Sequence, residues 1–254
     1  MSGIVVIIGM GDLANQVARA TRTAFPSATF IIPQKAARSV ILRNRIRRHG
    51  LLKAFGQVTF RALLSSLTRR HQRRIDQIWT QSGLPLTPVD KDQIRYVPDV
   101  NSPATQAILR AQDPDVVFVF SVSKISRTTL SVTDAPFVNL HPGLTPRYRG
   151  LHTGYWALLS ERKHGFGTTV HLIDAGLDTG PIIAQVKTAP AEEDNIATYN
   201  ALLTVAGLPM LFQTLVQYLE GAPPDTTDAG RPAPICHEPT LWRYLTAGIL
   251  RGIW

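Results

Sequence analysis

Residues 115–120, Asp-Val-Val-Phe-Val-Phe, constrain the fold of this chain more than any other stretch. After Asp115 the run is wholly apolar, β-branched or aromatic. It predicts a strand covered on both faces, as in a parallel sheet with helices above and below it. Ile4–Ile8 has the same character and leads through Gly9-Met10-Gly11 into residues 13–23, which carry helical spacing. That is strand, tight turn, helix. The pattern then alternates. Residues 28–32 read as a strand closed by Pro33, and residues 95–97 as a short one. Residues 102–112 read as a helix with Ser102 as N-cap before Pro103. A short helix is predicted over 124–132, a strand over 137–140 and a helix over 152–161. Strands follow at 168–173 and 181–187, the second a candidate antiparallel one, and a long helix over 195–219 ends at Gly221. Strand–helix alternation of this kind predicts an α/β architecture, a Rossmann-like, doubly wound, mostly parallel sheet.

One segment interrupts the alternation. Residues 36–79 show no strand signal and read as two or three helices broken at Gly50 and Gly56. The charge is concentrated there: residues 35–76 hold 12 Lys/Arg and one acidic residue, so the net +9 belongs to one region. Solvated helix faces, an electropositive rim for an anionic acceptor, or docking on nucleic acid or an acidic membrane would each account for it. Leu51, Leu52, Phe55, Phe60, Leu63 and Leu64 interleave with these charges, giving amphipathic helices that need a core, a partner or a lipid face. Residues 222–254 form a C-terminal extension, Pro-rich and then apolar. In it Trp242, Tyr244, Leu245, Ile249, Leu250, Ile253 and Trp254 stand beside two basic residues. Packing on the same chain or in a homodimer is expected ahead of peripheral membrane contact.

The single cysteine, Cys236, excludes an intrachain disulfide framework and points to a reducing, cytoplasmic setting. The first residues lack a basic n-region, and no apolar run is expected to reach the length of a membrane span. His141, His152 and His171 lack zinc spacing and no cysteine accompanies them, so no metal is expected. His171, among Thr168, Val170 and Leu172, reads as a satisfied core histidine. Gly9-Met10-Gly11-Asp12-Leu13-Ala14 imitates half of a dinucleotide fingerprint. Asp12 opposes close approach of an anion, and a tight βα turn accounts for the glycines.

The chemistry lies in two later motifs. Asn139-Leu140-His141-Pro142-Gly143-Leu144-Thr145-Pro146-Arg147-Tyr148-Arg149-Gly150 is followed by Leu177-Asp178-Thr179-Gly180-Pro181. On a strand, Asn139 and His141 face the same side and can address one atom. The end of a parallel strand is where open α/β sheets bind ligands. An amide donor, a group able to be cationic and a carboxylate are what acyl transfer to an amine requires.

The two motifs resemble, in order and spacing, those of the folate-dependent formyltransferase family. The resemblance is closest over residues 115–185 and looser from Ile4 onward. It implies that residues 1–221 are a formyltransferase catalytic domain carrying the inserted basic helices, and that 10-formyltetrahydrofolate is the co-substrate. By this resemblance Asn139 holds the formyl oxygen and His141 stabilises the oxyanion. Asp178 keeps His141 cationic and takes the proton of the amine. Val122, Ser123, Lys124 and Ile125, with Asp174, Gly176 and Leu177, would contact the pterin, largely through backbone groups. Asp174 is also placed to brace its glycine turn. The chain departs from the family's glycinamide ribonucleotide branch in lacking a Gly-Asn-Gly-Ser-type turn. It has Gly143 where that branch and the methionyl-tRNA branch carry Ser. The 33 residues after Gly221 are too few for the C-terminal β-rich domain of the tRNA enzymes. These departures point to an amino-sugar N-formyltransferase acting on a nucleotide- or lipid-linked, anionic amine, with no specific nucleic acid. Methionyl-tRNA or another amine is the alternative acceptor, and a catalytically silent folate- or nucleic-acid-binding module the alternative outside the class.

Overall fold

Every residue of the first strand is buried, which fixes the layering of the whole molecule. The computed structural model describes residues 3–34 and 37–254. In chain order the elements are β1 (Ile4–Ile8), α1 (Asp12–Ala24), β2 (Thr29–Pro33), α2 (Arg38–His49), α3 (Leu51–Arg70), α4 (Gln72–Gln81), β3 (Ile94–Val97), α5 (Pro103–Gln112) and β4 (Val116–Phe120). There follow α6 (Arg127–Leu130), β5 (Phe137–His141), α7 (Thr153–Glu161), β6 (Gly167–Leu172), β7 (Ile182–Lys187), α8 (Tyr199–Leu219) and α9 (Leu241–Arg251). The strands form one seven-stranded sheet in the order β3-β2-β1-β4-β5-β6-β7. The first five are parallel, and β6 and β7 are antiparallel additions at one edge. The expected mostly parallel, doubly wound sheet is present.

Alternation along the strands divides the core. Ile4, Val6 and Ile8 pack with Val17 of α1 and with Leu208, Leu211 and Leu215 of α8. Val5 and Ile7 pack on the opposite face with Leu109 of α5. A third cluster joins the inserted and terminal helices to the sheet domain: Phe60 of α3, Tyr155 of α7, Leu203 of α8 and Tyr244 of α9. Ser102 caps α5, its Oγ accepting from the Thr105 N–H.

Four sequence expectations are corrected. Gly56 does not break a helix. It lies inside α3 because a Cβ there would sit 2.2 Å from the Trp242 ring. Packing, rather than backbone freedom, accounts for that glycine. The helix expected over 124–132 shrinks to the four residues of α6, capped by Ser126, and residues 122–125 stay irregular. The last long helix begins at Tyr199, not at 195, since Asp194 and Asn195 engage Thr198 in a turn. Finally, α8 is long and apolar enough to cross a bilayer by length and composition. Here it packs on β5, β6 and β7 as a core helix. The start of the inserted segment at position 36, and Lys35 in the basic run, lie outside the described residues.

The β1–α1 turn depends on one close approach. Gly9 N–H donates to Phe120 O at 3.0 Å, and a Cβ on Gly9 would lie 2.0 Å from the Ser121 carbonyl oxygen. Gly9→Ala is therefore expected to lower stability by about 1–3 kcal/mol, the usual scale of overpacking. Urea melts of the two proteins test this, and an unchanged midpoint would contradict the close approach.

Candidate active site

Asn139 and His141 are on β5, His141 being its last residue. Their neighbour β6 is antiparallel, with Asn139 opposite His171 and His141 opposite Thr169. Directly opposed residues share a face, so the four polar side chains of these two pairs lie together on one face of the strands. The hairpin loop between β6 and β7 brings Asp178 to the same place.

The hydrogen bonds orient each group. His141 Nε2 donates to Tyr148 O at 3.0 Å, which turns Nδ1 toward Asp178 Oδ2, 3.6 Å away. That gap exceeds a direct hydrogen bond, and a water or closure on substrate would bridge it. Asp178 Oδ2 also accepts from Gly150 N–H at 2.9 Å, and Oδ1 stands 4.0 Å from His171 Nε2. Asp178 adopts a left-handed backbone, φ 51°, which Asp tolerates better than most residues.

His171 is a residue of this cleft that sequence reasoning left out of the site. It is a satisfied buried histidine, as expected, but it is built into the site. Its Nδ1 donates to Leu172 O at 2.7 Å, leaving Nε2 to accept from Asn139 Nδ2 at 3.0 Å. One amide hydrogen of Asn139 is thereby fixed and the other is left for the cleft. Burial, with a smaller contribution from His141, pushes the His171 pKa below its ordinary value against the opposing Leu172 hydrogen bond. The neutral ring is the form that can accept from Asn139. Only the β5–β6 register, which pairs residues 32 apart, could have revealed it.

The loop after His141 is held from beneath. Thr169 Oγ1 donates to Gly143 O at 2.8 Å and accepts from Thr145 N–H at 3.1 Å, while the Thr153 hydroxyl donates to Pro142 O. Gly143 is enforced by this packing: a Cβ would lie 2.6 Å from Tyr148 O and 2.7 Å from Thr153 Cβ. Arg149 joins two further walls, donating to Leu177 O at 2.8 Å and to Ala233 O at 2.6 Å. Asp174 braces its own turn, Oδ1 accepting from Gly176 N–H at 2.9 Å and Thr179 Oγ1 at 2.7 Å.

Asn139, His141, His171 and Asp178 open onto one cleft of about 400 Å³. Val122, Ser123, Lys124, Ile125, Asp174, Gly176 and Leu177 are all on its wall with Asn139, His141, His171 and Asp178. On another side the cleft is bounded by residues from outside the sheet: Arg48 at the end of α2, His152, and Ile235, Cys236 and His237 of the C-terminal extension. Burial pushes the Cys236 thiol above its ordinary pKa, which suits a wall residue better than a nucleophile. The glycine turn at Gly9 and Gly11 borders a different pocket, beside β2 and β3.

Glu238 ties this wall together. Its buried carboxylate lies 2.7 Å from Arg45 and 2.9 Å from Arg61, with His152 at 3.9 Å, and its carbonyl accepts from Gln57 Nε2. Burial raises its pKa, but the nearby His152 ring, the hydrogen bond from Arg61 and the charges of Arg61 and Arg45 outweigh it, and the net shift is downward.

The profile of the Formyl transferase family matches residues 66–215, more than half of the sequence, and the chain belongs to that family. A methionyl-tRNA formyltransferase of Thermodesulfovibrio yellowstonii is 34% identical over 114 residues, 44% of this chain and 37% of that protein. The chain spans less than half the length of the curated relatives it matches. Among solved structures, a sugar N-formyltransferase from Shewanella superposes with TM-score 0.54 at 15% identity, covering 92% of this chain and 76% of that one. A formyltransferase from Anoxybacillus kamchatkensis, in complex with UDP-4,6-dideoxy-4-formamido-L-AltNAc and tetrahydrofolate, gives 0.52 at 14%, covering 92% and 85%. At these identities the likeness to the solved structures is one of fold.

His171 generates two expectations. His171→Leu should lower kcat about tenfold or more with a smaller change in KM, since it frees the Asn139 amide without removing a substrate contact. The pH dependence of stability follows from its lowered pKa. The unfolded chain takes up a proton near 6.5 and the folded chain only at lower pH, so stability is complete above that value and falls below it. Thermal melts between about pH 7 and about pH 5 should show this decline, less steeply in His171→Leu.

Proposed function

We propose that this chain transfers a formyl group from 10-formyltetrahydrofolate to a primary amine on an anionic acceptor, a nucleotide- or lipid-linked amino sugar. One observation carries the proposal: Asn139, His141 and Asp178 converge on a single cleft, with Asp178 Oδ2 3.6 Å from His141 Nδ1. The cleft fits the co-substrate. Its volume is in the range of small-molecule sites. The backbone N–H groups of Ser123, Lys124 and Ile125 have no protein acceptor among the described residues, leaving donors for a heterocycle. Bound 10-formyltetrahydrofolate supplies the formyl carbon and leaves as tetrahydrofolate. The free Asn139 amide hydrogen and a protonated His141 stabilise the oxyanion formed as the amine adds. Asp178, directly or through water, takes the amine proton.

The wall opposite the catalytic groups supports an anionic acceptor. Arg48 and His237 line the cleft, and the His49 ring packs edge-on against His237 at 4.8 Å. Glu238 engages Arg45 and Arg61, whereas Arg48 and Lys53 have no carboxylate partner among the described residues. Burial and then the neighbouring cations push both histidines below their ordinary pKa values: Lys53, Arg45 and Arg48 act on His49, and His49, Lys53 and Arg48 on His237. A phosphate at the cleft mouth would relieve that repulsion. Methionyl-tRNA is the alternative acceptor, favoured by the 34% identity to the tRNA enzyme.

The test is release of tetrahydrofolate with a panel of amines, nucleotide-linked amino sugars and methionyl-tRNA among them. His141→Ala and Asp178→Asn should each remain folded and lose at least about a hundredfold in turnover. Near-normal turnover in either variant would remove that residue from the chemistry. A stable folate analogue should raise the melting temperature and NAD(P) should not. Stabilisation by NAD(P) alone would overturn the proposal, and folate binding without turnover on any amine would mark a silent module.

A further inference from the structure

Helices α3 and α9 carry a surface that formyl transfer does not use. Leu51, Phe55 and Val58 recur three and four residues apart on one stripe of α3, with Leu52 beside it. Leu51, Leu52 and Phe55 are 72%, 75% and 65% exposed. On α9, Trp242, Leu245 and Ile249 form a similar stripe with Leu250 at its edge, and Ile249 and Leu250 are 74% and 76% exposed. The two helices are in contact: the Trp242 ring packs on Gly56, and the Tyr244 ring meets Phe60 edge-on at 5.4 Å. The tail thus packs within the chain through Tyr244, Ala247 and Gly248, but its outward stripe stays open. Val40, Ile41 and Leu42 of α2 are exposed as well.

The charge around this apolar surface has one sign. Residues 38–70 include nine Lys/Arg and no Asp or Glu, and α9 adds Arg243 and Arg251. Arg43, Arg47, Arg48, Lys53, Arg69 and Arg70 have no carboxylate partner among the described residues. We propose that the α2–α3–α9 face docks peripherally on an anionic lipid bilayer. Leu51, Leu52, Phe55, Trp242, Ile249 and Leu250 enter the headgroup region, and the arginines pair with lipid phosphates. Basic and aromatic residues beside aliphatic ones, with no acid among them, are what an interfacial helix presents to such a surface. The same features disfavour other occupants. A two-fold dimer through this face would set like charges against each other. Nucleic acid would satisfy the arginines and leave the aliphatic side chains in water. Docking invokes none of Asn139, His141 and Asp178, so it is independent of the proposed chemistry. Arg48 and Leu151 line the cleft, and Leu51 follows Arg48 by three residues, so the cleft mouth opens near this face, as a membrane-borne acceptor would require.

Flotation of the full chain with vesicles tests the proposal. The protein should float with phosphatidylcholine vesicles containing phosphatidylglycerol and not with phosphatidylcholine alone, and added salt should weaken the binding. The triple variant Leu51→Ser, Leu52→Ser, Phe55→Ser should lose at least about tenfold in partitioning. Ile249→Ser with Leu250→Ser, on the other helix, should lose a comparable amount, and Arg43→Gln with Arg47→Gln should erode the preference for anionic vesicles. All these variants should keep the melting temperature and its shift with a folate analogue, since the first five side chains are largely exposed. Absence of flotation with anionic vesicles, or flotation by both apolar variants equal to that of the parent, overturns the proposal. So does a solution mass twice that of the chain that falls to one copy in the triple variant.

Discussion

The site depends on a change of direction in the sheet. Five parallel strands end with β5, and β6 then runs antiparallel beside it. That reversal sets His171 opposite Asn139 and Thr169 opposite His141, and a second reversal, of β7 against β6, makes the next connection a hairpin loop instead of a crossover. Asp178 rides on that loop. The constellation of Asn139, His141, His171 and Asp178 is thus a product of strand order as much as of residue choice.

Two structural systems meet in the cleft. Strands β4 and β5 and the β6–β7 loop form one, supplying Asn139, His141, His171 and Asp178. The other is built from α2, α3 and the segment around residues 235–238, held by the Glu238 carboxylate against Arg45 and Arg61. A buried carboxylate beside several cations is strongly destabilised if its partners are removed, so this wall is expected to stay assembled or be lost as a unit. In the proposed reaction, the groups that would act on the formyl carbon belong to the first system and those that would face the acceptor to the second.

Much of this was legible in the sequence, for a definable reason. Asn139, His141 and Asp178 sit in two local motifs, and strand periodicity alone puts Asn139 and His141 on one face. The sheet was legible because residues such as Val117 and Val119 admit no solvent-facing strand. What was hidden depends on distant pairings. His171 looks like any core histidine until the register places Asn139 across from it. Arg48 and His237, nearly two hundred positions apart, share a wall through contacts that no local pattern encodes. Gly56 resembles a helix break when read by propensity, because the Trp242 ring that requires it lies far along the chain.

Among the described residues, the hydrogen bond that holds the Asp178 carboxylate comes from a main-chain donor, the Gly150 N–H. A peptide N–H is present whatever residue occupies the position, proline excepted, so ordinary sequence drift cannot delete it. The vulnerability is moved to shape: Gly150 has φ 99°, and a Cβ there would lie 2.5 Å from the Cys236 carbonyl oxygen. Substitution should accordingly be tolerated least at glycines: at Gly150, 28 residues from the carboxylate and with no chemistry of its own, and at Gly176 and Gly180 beside it, where a Cβ would run into Thr179 and the Leu172 carbonyl.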